Sequence, residues 1–564
     1  MDVEHSRFAF IRRRALTALG LIALLALALW LRIDSLDWGM PFRLHPDEWK
    51  YVSGAAKCHQ GEWNPKYFRN PPGFTYLNAL FYPLWLRLQT PVEVPAWLGI
   101  DPQFLKPSDN IEAEYLHRPF DLTMGSRMLA AIMGALTAAA VYLLARERCS
   151  QPIAMIAALL SAVSFANVRE SHFAVNDSSM TLFLTLSLWL GLFSMRRGSF
   201  RLSLVASALA GIAAAMKYSA APLVPVLMVF WGAAKCQTEK KNNWKSWMLE
   251  LLAIGGLSLA CFFAICPFPI SDPSAFWPDF WEQYRRANIL APGQEKTGFA
   301  LLALNSFLVS EGWASVILAI VGFGVLVKQR RWEWLIFPLL FFAVLAKHSM
   351  FFIRYCMPIM PWISLWAAVG IDALAQRANR RFAAVLLASA LTIACLIEPL
   401  AKDIRANWLL KQTDTRIECM RWFLEEGNKN GLMAVDQYSI PISYKSVSEP
   451  LTNPFRNFIW IDRLPSKDLT KLDAIENAQA AYIAVGTFAA FPGGFPDSYE
   501  ERRTAIKTYA GGNKPIKRFI PFEKEWNPAP ADLEDTYTPV SNLWGRNQPG
   551  PAIEIFTMSY RNQQ

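Results

Sequence analysis

Residues 202–231 read LSLVASALAGIAAAMKYSAAPLVPVLMVFW, a run of apolar and small residues in which Lys217 is the only charge. As one tilted helix the run crosses a bilayer once; as two helices meeting near Tyr218 it crosses and returns. That choice fixes the side on which every later loop lies. Beyond Trp231 come Lys235, Lys240, Lys241 and Lys245, and basic residues gather on the cytoplasmic side of membrane proteins. Two helices keep this cluster with the other basic clusters of the chain, whereas one helix strands it outside. We read two helices, with Lys217 at the outer surface and almost no loop to live in.

Working outward, a first apolar segment runs from Ala15 to Leu31 behind Arg12-Arg13-Arg14. A cleaved signal peptide has the same outline, but later segments need this one to keep their parity, so it reads as an anchor. Further segments run roughly Met128–Leu144, Ile153–Val168, Met180–Met195, Leu202–Met216, Ala220–Ala234, Met248–Ile265, Trp313–Val327, Trp334–Ala346, Cys356–Leu374 and Phe382–Leu396. The total is about 11 spans. With the N-terminus cytoplasmic, Arg146/Arg148, Arg196/Arg197/Arg201, the Lys235–Lys245 cluster, Lys328/Arg330/Arg331 and Arg377/Arg380/Arg381 all fall inside.

Composition agrees. The 564 residues are 53% hydrophobic and 18% charged, with mean hydropathy +0.18, which suits many spans and some water-exposed mass. The net charge of +10 sits in short clusters between apolar segments, so it points to a membrane and away from nucleic acid. Eight scattered cysteines without a CxxC pair indicate neither a zinc site nor a disulfide framework.

The expectation is a mainly α polytopic membrane protein with a small extracytoplasmic α/β domain at its C-terminus. Residues 1–400 form the membrane unit, with a large external loop over 33–126, and residues 401–564 the external domain. In the loop, an apolar run to Leu88 is flanked by prolines and would reverse every later loop if it spanned, so an interfacial helix is expected there. In the tail, a helical pattern over Glu418–Glu426 alternates with strand-like runs at Leu432–Val435, Ala480–Val485 and Ala552–Met558.

Charges that parity places outside yet close to the bilayer are Asp47, Glu48, Arg127, Asp177, Lys217, Arg285, Arg286, Lys347, His348 and Arg354. Such charges are costly and mark function or a binding path. Each has a plainer explanation too. Pro46-Asp47-Glu48 suits a helix start, Asn176-Asp177-Ser178 suits a helix cap, and Arg127 and Arg354 suit snorkelling to headgroups. His45, His59, His117 and His172 lack a ligand spacing such as HxxxH, and metal dependence stays open.

The order Asp47-Glu48, Trp63, Pro71-Pro72, Tyr76, Ser126–Ala130 and Val141–Arg146 resembles the GT-C glycosyltransferases. More narrowly it is similar to the protein O-mannosyltransferases and the undecaprenyl-phosphate aminoarabinose transferases. Ser171–Asp177 resembles that group's acidic motif before the fourth span, Gly211–Tyr218 its helix end, and Arg354-Tyr355-Cys356-Met357-Pro358 with Pro361 its late pattern. Asn70 stands where the aminoarabinose transferases carry a lysine, leaving Lys66 or Arg69 as substitutes.

The resemblance implies a bacterial inner-membrane enzyme that takes a sugar from a polyprenyl-phosphate donor and passes it to a lipid, glycan or protein acceptor outside. Asp47 is expected as base, Glu48 and Asp177 as supporting carboxylates, and Lys217, Arg127 and Arg354 as donor-phosphate ligands. His45, Tyr76, Arg285, Arg286 and Tyr355 are candidate substrate contacts. The chemistry suits these residue types: the departing phosphate gathers negative charge that preorganised cations stabilise, and it needs little protonation. One carboxylate acting as base then suffices, with inversion at the anomeric carbon. A transporter or flippase also places charge in an apolar bundle, but with a midplane site and paired halves; here the charges lie at one face and no half resembles the other.

Overall fold

The computed structural model describes residues 2–238, 244–288, 298–348, 351–427, 431–435, 439–444, 447–460, 480–487, 514–523, 533–536 and 538–558. Helix α1 (Asp2–Ile33) leads into a long loop, which holds α2 (Glu48–His59), α3 (Gly73–Leu88) and α4 (Ile111–His117). The bundle continues through α5 (Pro119–Arg146), α6 (Gln151–Ala162), α7 (Phe165–Glu170), α8 (Asp177–Arg197), α9 (Phe200–Met216), α10 (Leu223–Thr238) and α11 (Trp244–Ile265). Short α12 (Phe268–Ser271) and α13 (Pro273–Ala287) precede α14 (Phe299–Lys328), α15 (Ile336–Leu345), α16 (Met360–Ala375) and α17 (Arg381–Leu410).

The run 202–231 folds as two helices. Helix α9 stops at Met216 because Lys217 turns extended (φ −154°, ψ 129°). A 3-10 turn over Tyr218–Ala220 and Pro222, which cannot continue a helix interior, then redirect the chain into α10.

Among the described residues, seven runs are helical, long and apolar enough to cross a membrane: Ala15–Ile33, Pro119–Arg146, Asp177–Arg197, Tyr218–Gln237, Trp244–Ile265, Phe299–Lys328 and Arg381–Glu425. The shorter apolar helices α6, α9, α15 and α16 coincide with the remaining expected segments. The expected segment Ile153–Val168 is interrupted: α6 ends at Ala162 and α7 begins at Phe165. Helix α14 starts at Phe299, well ahead of the expected Trp313, and kinks at Gly312 (φ 75°, ψ 164°). The groups the kink frees are satisfied from α17, where Glu398 accepts from the Trp313 amide at 3.0 Å and Lys402 donates to the Leu308 and Val309 carbonyls.

Small residues set the close helix contacts, as in membrane bundles generally. A Cβ on Gly322 would lie 1.9 Å from the Trp366 carbonyl, and one on Gly370 would lie 2.1 Å from the Leu318 carbonyl, so α14 and α16 meet backbone to backbone. Helix α3 keeps Leu80, Leu84 and Leu88 exposed along one face, the surface an interfacial helix needs.

In the tail, α18 (Thr415–Glu425) and α19 (Glu449–Thr452) accompany β1 (Leu432–Val435), β2 (Phe458–Trp460), β3 (Ala480–Gly486), β4 (Lys517–Phe519) and β5 (Ile553–Thr557). The strands form one sheet in the order β2-β1-β3-β5-β4. Pairs β1–β2 and β1–β3 are parallel, while β3–β5 and β4–β5 are antiparallel. The α/β character expected of the tail is therefore that of a mixed sheet.

Candidate active site

Asp47 occupies the N-cap of α2, but its carboxylate makes no cap hydrogen bond. It faces two cations instead: Oδ1 accepts from Lys50 Nζ at 3.0 Å and Oδ2 from Arg354 Nη1 at 3.1 Å. Its side chain stays 26% exposed, so the group can be reached. Burial alone would raise the Asp47 carboxyl, yet Lys50 and Arg354 outweigh it and hold the group well below the usual carboxylate range.

A second pair lies at the turn between α9 and α10. Lys217 Nζ donates to Asp177 Oδ1 at 2.5 Å, and the ammonium sits 5.4 Å from the centre of the Tyr355 ring. Asn176, at the N-cap of α8, also makes no cap bond with its side chain; its amide donates to the Met216 carbonyl at 2.5 Å. The 176–177 corner thus holds the end of α9 rather than its own helix.

Tyr355 joins the two pairs. It lies within electrostatic reach of Arg354, Asp177 and Asp47, and burial pushes its phenol up to about 12. Tyr51, on α2, also lies within reach of Asp47, Asp177 and Arg354. The long loop after α1, the start of α8, the α9–α10 turn and the 3-10 turn Ile353–Cys356 therefore meet in one cluster.

Other expected site residues serve differently. Arg127 is 1% exposed. It grips Glu48 bidentately at 2.7 and 2.8 Å, and its Nη1 donates to the Leu36 and Trp38 carbonyls. With its donors so engaged it braces α2 and the loop before it. Glu48 also accepts from the Ala174 amide at 2.9 Å, so this supporting carboxylate fixes α2 against α5 and the loop before α8.

His45 is fully buried, stacks on Phe173 at 4.7 Å and accepts the Asp47 amide on Nδ1 at 3.2 Å. Burial lowers its pKa to about 3, which leaves a neutral ring that shapes the loop. The Tyr76 hydroxyl is spent on the Trp63 carbonyl at 2.7 Å. Arg285 is 75% exposed and paired with Glu282 on its own helix, and the Arg286 side chain lies outside the described residues.

Lys66 and Arg69, the expected substitutes at Asn70, are paired with Asp272 and Asp279. Lys50 was not anticipated, although its place one turn after Asp47 puts both on the same helical face. Among the described residues no group of three or more His, Cys, Asp or Glu side chains could hold a metal ion.

The buried Glu48–Arg127 pair gives a stability prediction. Removing one partner of such a pair strands the other charge, so Arg127→Ala is expected to destabilise the protein by about 3–5 kcal/mol. A lowered thermal midpoint in detergent checks it; an unchanged midpoint with weakened donor binding would return Arg127 to the phosphate.

Residues 121–266 match the family model described as dolichyl-phosphate-mannose-protein mannosyltransferase. Among curated proteins no sequence matches significantly. The fold overlays the apo oligosaccharyltransferase of Archaeoglobus fulgidus with TM-score 0.51 and 11% identity, covering 84% of this chain and 70% of that one. The oligosaccharyltransferase AglB from the same archaeon, in complex with an inhibitory peptide and a dolichol-phosphate, overlays with TM-score 0.51 and 12% identity over the same shares. ArnT from Cupriavidus metallidurans bound to undecaprenyl phosphate overlays more loosely, with TM-score 0.45 and 15% identity, covering 85% of this chain and 96% of that one; the fold assignment rests on the archaeal structures. The helical scaffold and the archaeal overlay give this chain a GT-C membrane fold, and its central helices match the mannosyltransferase family model.

Proposed function

We propose that the protein transfers a sugar from a polyprenyl-phosphate donor to a lipid, glycan or protein acceptor at the extracytoplasmic face of a bacterial inner membrane. The observation that carries this reading is the meeting of Asp47, Arg354, Lys217 and Asp177 from separate segments of the chain. The family model, named for a dolichyl-phosphate sugar, and the dolichol-phosphate complex of the archaeal relative support a donor of that class.

In this account Lys217 and Arg354 hold the donor phosphate and stabilise the charge it gathers as the glycosidic bond breaks. Asp47 takes the proton of the acceptor hydroxyl or amine from the opposite face of the sugar, so the anomeric configuration inverts. Arg354 is shared: a phosphate that draws it away from Asp47 removes one of the cations that depress the carboxylate, and basicity rises when donor is present. Tyr355 orients Lys217 from beneath through its ring.

Residues 1–400 act as the catalytic membrane unit and 401–564 as an external domain, joined through α17, which runs on to Leu410. The bias of basic residues to one set of loops supports the orientation. Arg196 bonds Glu147 at 2.7 Å and Arg148 bonds Glu333 at 3.3 Å, tying loops rich in basic residues together at the end of the bundle opposite the candidate site. Single cysteines near Lys328 and Arg380 should resist a membrane-impermeant thiol reagent, while those near Asn70 and Arg421 should react. Protection at Arg421 would put the tail in the cytoplasm and break the site apart from its acceptors.

The direct test of activity is purified protein with a polyprenyl-phosphate sugar and an acceptor extract, following release of free polyprenyl phosphate. Acceptor-dependent release supports the reading. No release across glycan, lipid and protein acceptors would contradict it.

A further inference from the structure

Two ties run from the tail into the backbone that carries the site. Glu534, 4% exposed in a 3-10 turn, accepts the Ile353 amide on Oε1 at 2.5 Å, and Ile353 directly precedes Arg354. Its Oε2 accepts from Arg169 Nη1 at 3.1 Å. Arg169 is itself buried, donating to Glu170, to Thr538 Oγ1 at 2.6 Å, and to the Glu534 and Thr538 carbonyls. Arg169 and Glu170 close α7, immediately before the segment that ends in Asp177.

The second tie holds the loop ahead of Asp47. Arg416, clamped by Asp414, donates to the Leu44 carbonyl at 3.1 Å. The Ile442 amide bonds the Arg43 carbonyl at 2.9 Å, Arg43 bonds the Ser443 carbonyl at 2.8 Å, and the Tyr444 hydroxyl bonds the Pro41 carbonyl at 2.9 Å. A domain that only recognised acceptors would not need buried charge on the main chain beside the donor cation and the base. Charge-assisted bonds inside a closed polar network fix geometry more firmly than exposed contacts do.

We infer that Glu534 is a positioning residue for the transfer: from the tail it fixes the backbone at Ile353 so that Arg354 reaches both Asp47 and the donor phosphate. The inference rests on the role given to Arg354 above. Small displacements of such a group carry large kinetic penalties, so Glu534→Gln, which puts an amide where two donors expect a carboxylate, should lower kcat/KM for the donor by about 10-fold or more.

The test is a double-mutant cycle in the full-length protein in detergent, with transfer from a polyprenyl-phosphate sugar as the readout. If Glu534 acts through Arg354, Glu534→Gln should cost less than about 2-fold once Arg354→Ala is present. An equal loss in both backgrounds would mean that Glu534 acts independently of Arg354 and would overturn the inference. Should Arg354→Ala itself leave transfer unchanged, the phosphate role of Arg354 fails, and Glu534 falls with it; that outcome is distinct from additivity. Where Glu534→Gln does not accumulate, Glu534→Asp keeps the charge for Arg169, withdraws the carboxylate from Ile353 and decides the same cycle.

Discussion

Asp47→Asn is expected to slow sugar transfer by about 10² or more while leaving polyprenyl-phosphate affinity close to normal. Asparagine keeps the shape of the side chain and one acceptor oxygen for Lys50 or Arg354, but it cannot take a proton from the acceptor. Arg354 loses a counter-charge at 3.1 Å, which leaves it freer to meet phosphate, so donor binding should hold or tighten. Glu48→Gln provides the contrast. Its carboxylate is wrapped by Arg127 and the Ala174 amide and is 2% exposed, so its loss should appear in stability and yield and should be smaller in turnover per folded molecule. If Asp47→Asn kept near-normal turnover, Asp47 would not be the base and its carboxylate would serve only to hold Lys50 and Arg354.

Lys217→Ala should weaken donor binding and also reduce kcat by about 10²–10³, the range found when a preorganised donor to a developing negative charge is removed. The ground-state phosphate and, more strongly, the departing one both gain from the cation, so the two parameters fall together. The lysine side chain is 17% exposed while Asp177 is 3% exposed, which means a ligand can approach the ammonium but hardly its partner. Asp177→Asn, which leaves the ammonium in place, should cost less than Lys217→Ala. Donor binding measured apart from turnover separates the roles; normal binding and turnover in Lys217→Ala would reduce the lysine to a helix-end residue.

Much of this was legible because membranes impose simple rules. Residues 202–231 could be divided correctly, since Lys217 and the lysines after Trp231 left one arrangement consistent with charge and length. The tail's strands at Leu432–Val435 and Ala480–Gly486 were visible as apolar runs between polar stretches. What escaped was pairing over distance. Arg127 looks the same in sequence whether it meets a phosphate or Glu48, and only the fold reveals the bidentate clasp. His45 beside the carboxylates suggests chemistry in sequence, and only the fold reveals that its ring is buried against Phe173. The bonds from Glu534 to Ile353 and from Arg416 to Leu44 join residues with no shared local pattern, so no periodicity could announce them. Lys50 was within reach of sequence reasoning, because a cation one turn after Asp47 shares its helical face.

The central claim is that one external cluster built around Asp47 moves a sugar from a polyprenyl phosphate. Mass spectrometry of envelope lipids, glycans and proteins tests it most directly, comparing a deletion strain complemented with the native chain and with Asp47→Asn. The account predicts that a single sugar increment on one acceptor class disappears in the Asp47→Asn strain while the polyprenyl-phosphate sugar accumulates, with equal amounts of folded protein in both. An unchanged set of increments and no donor accumulation, at equal protein levels, would contradict it.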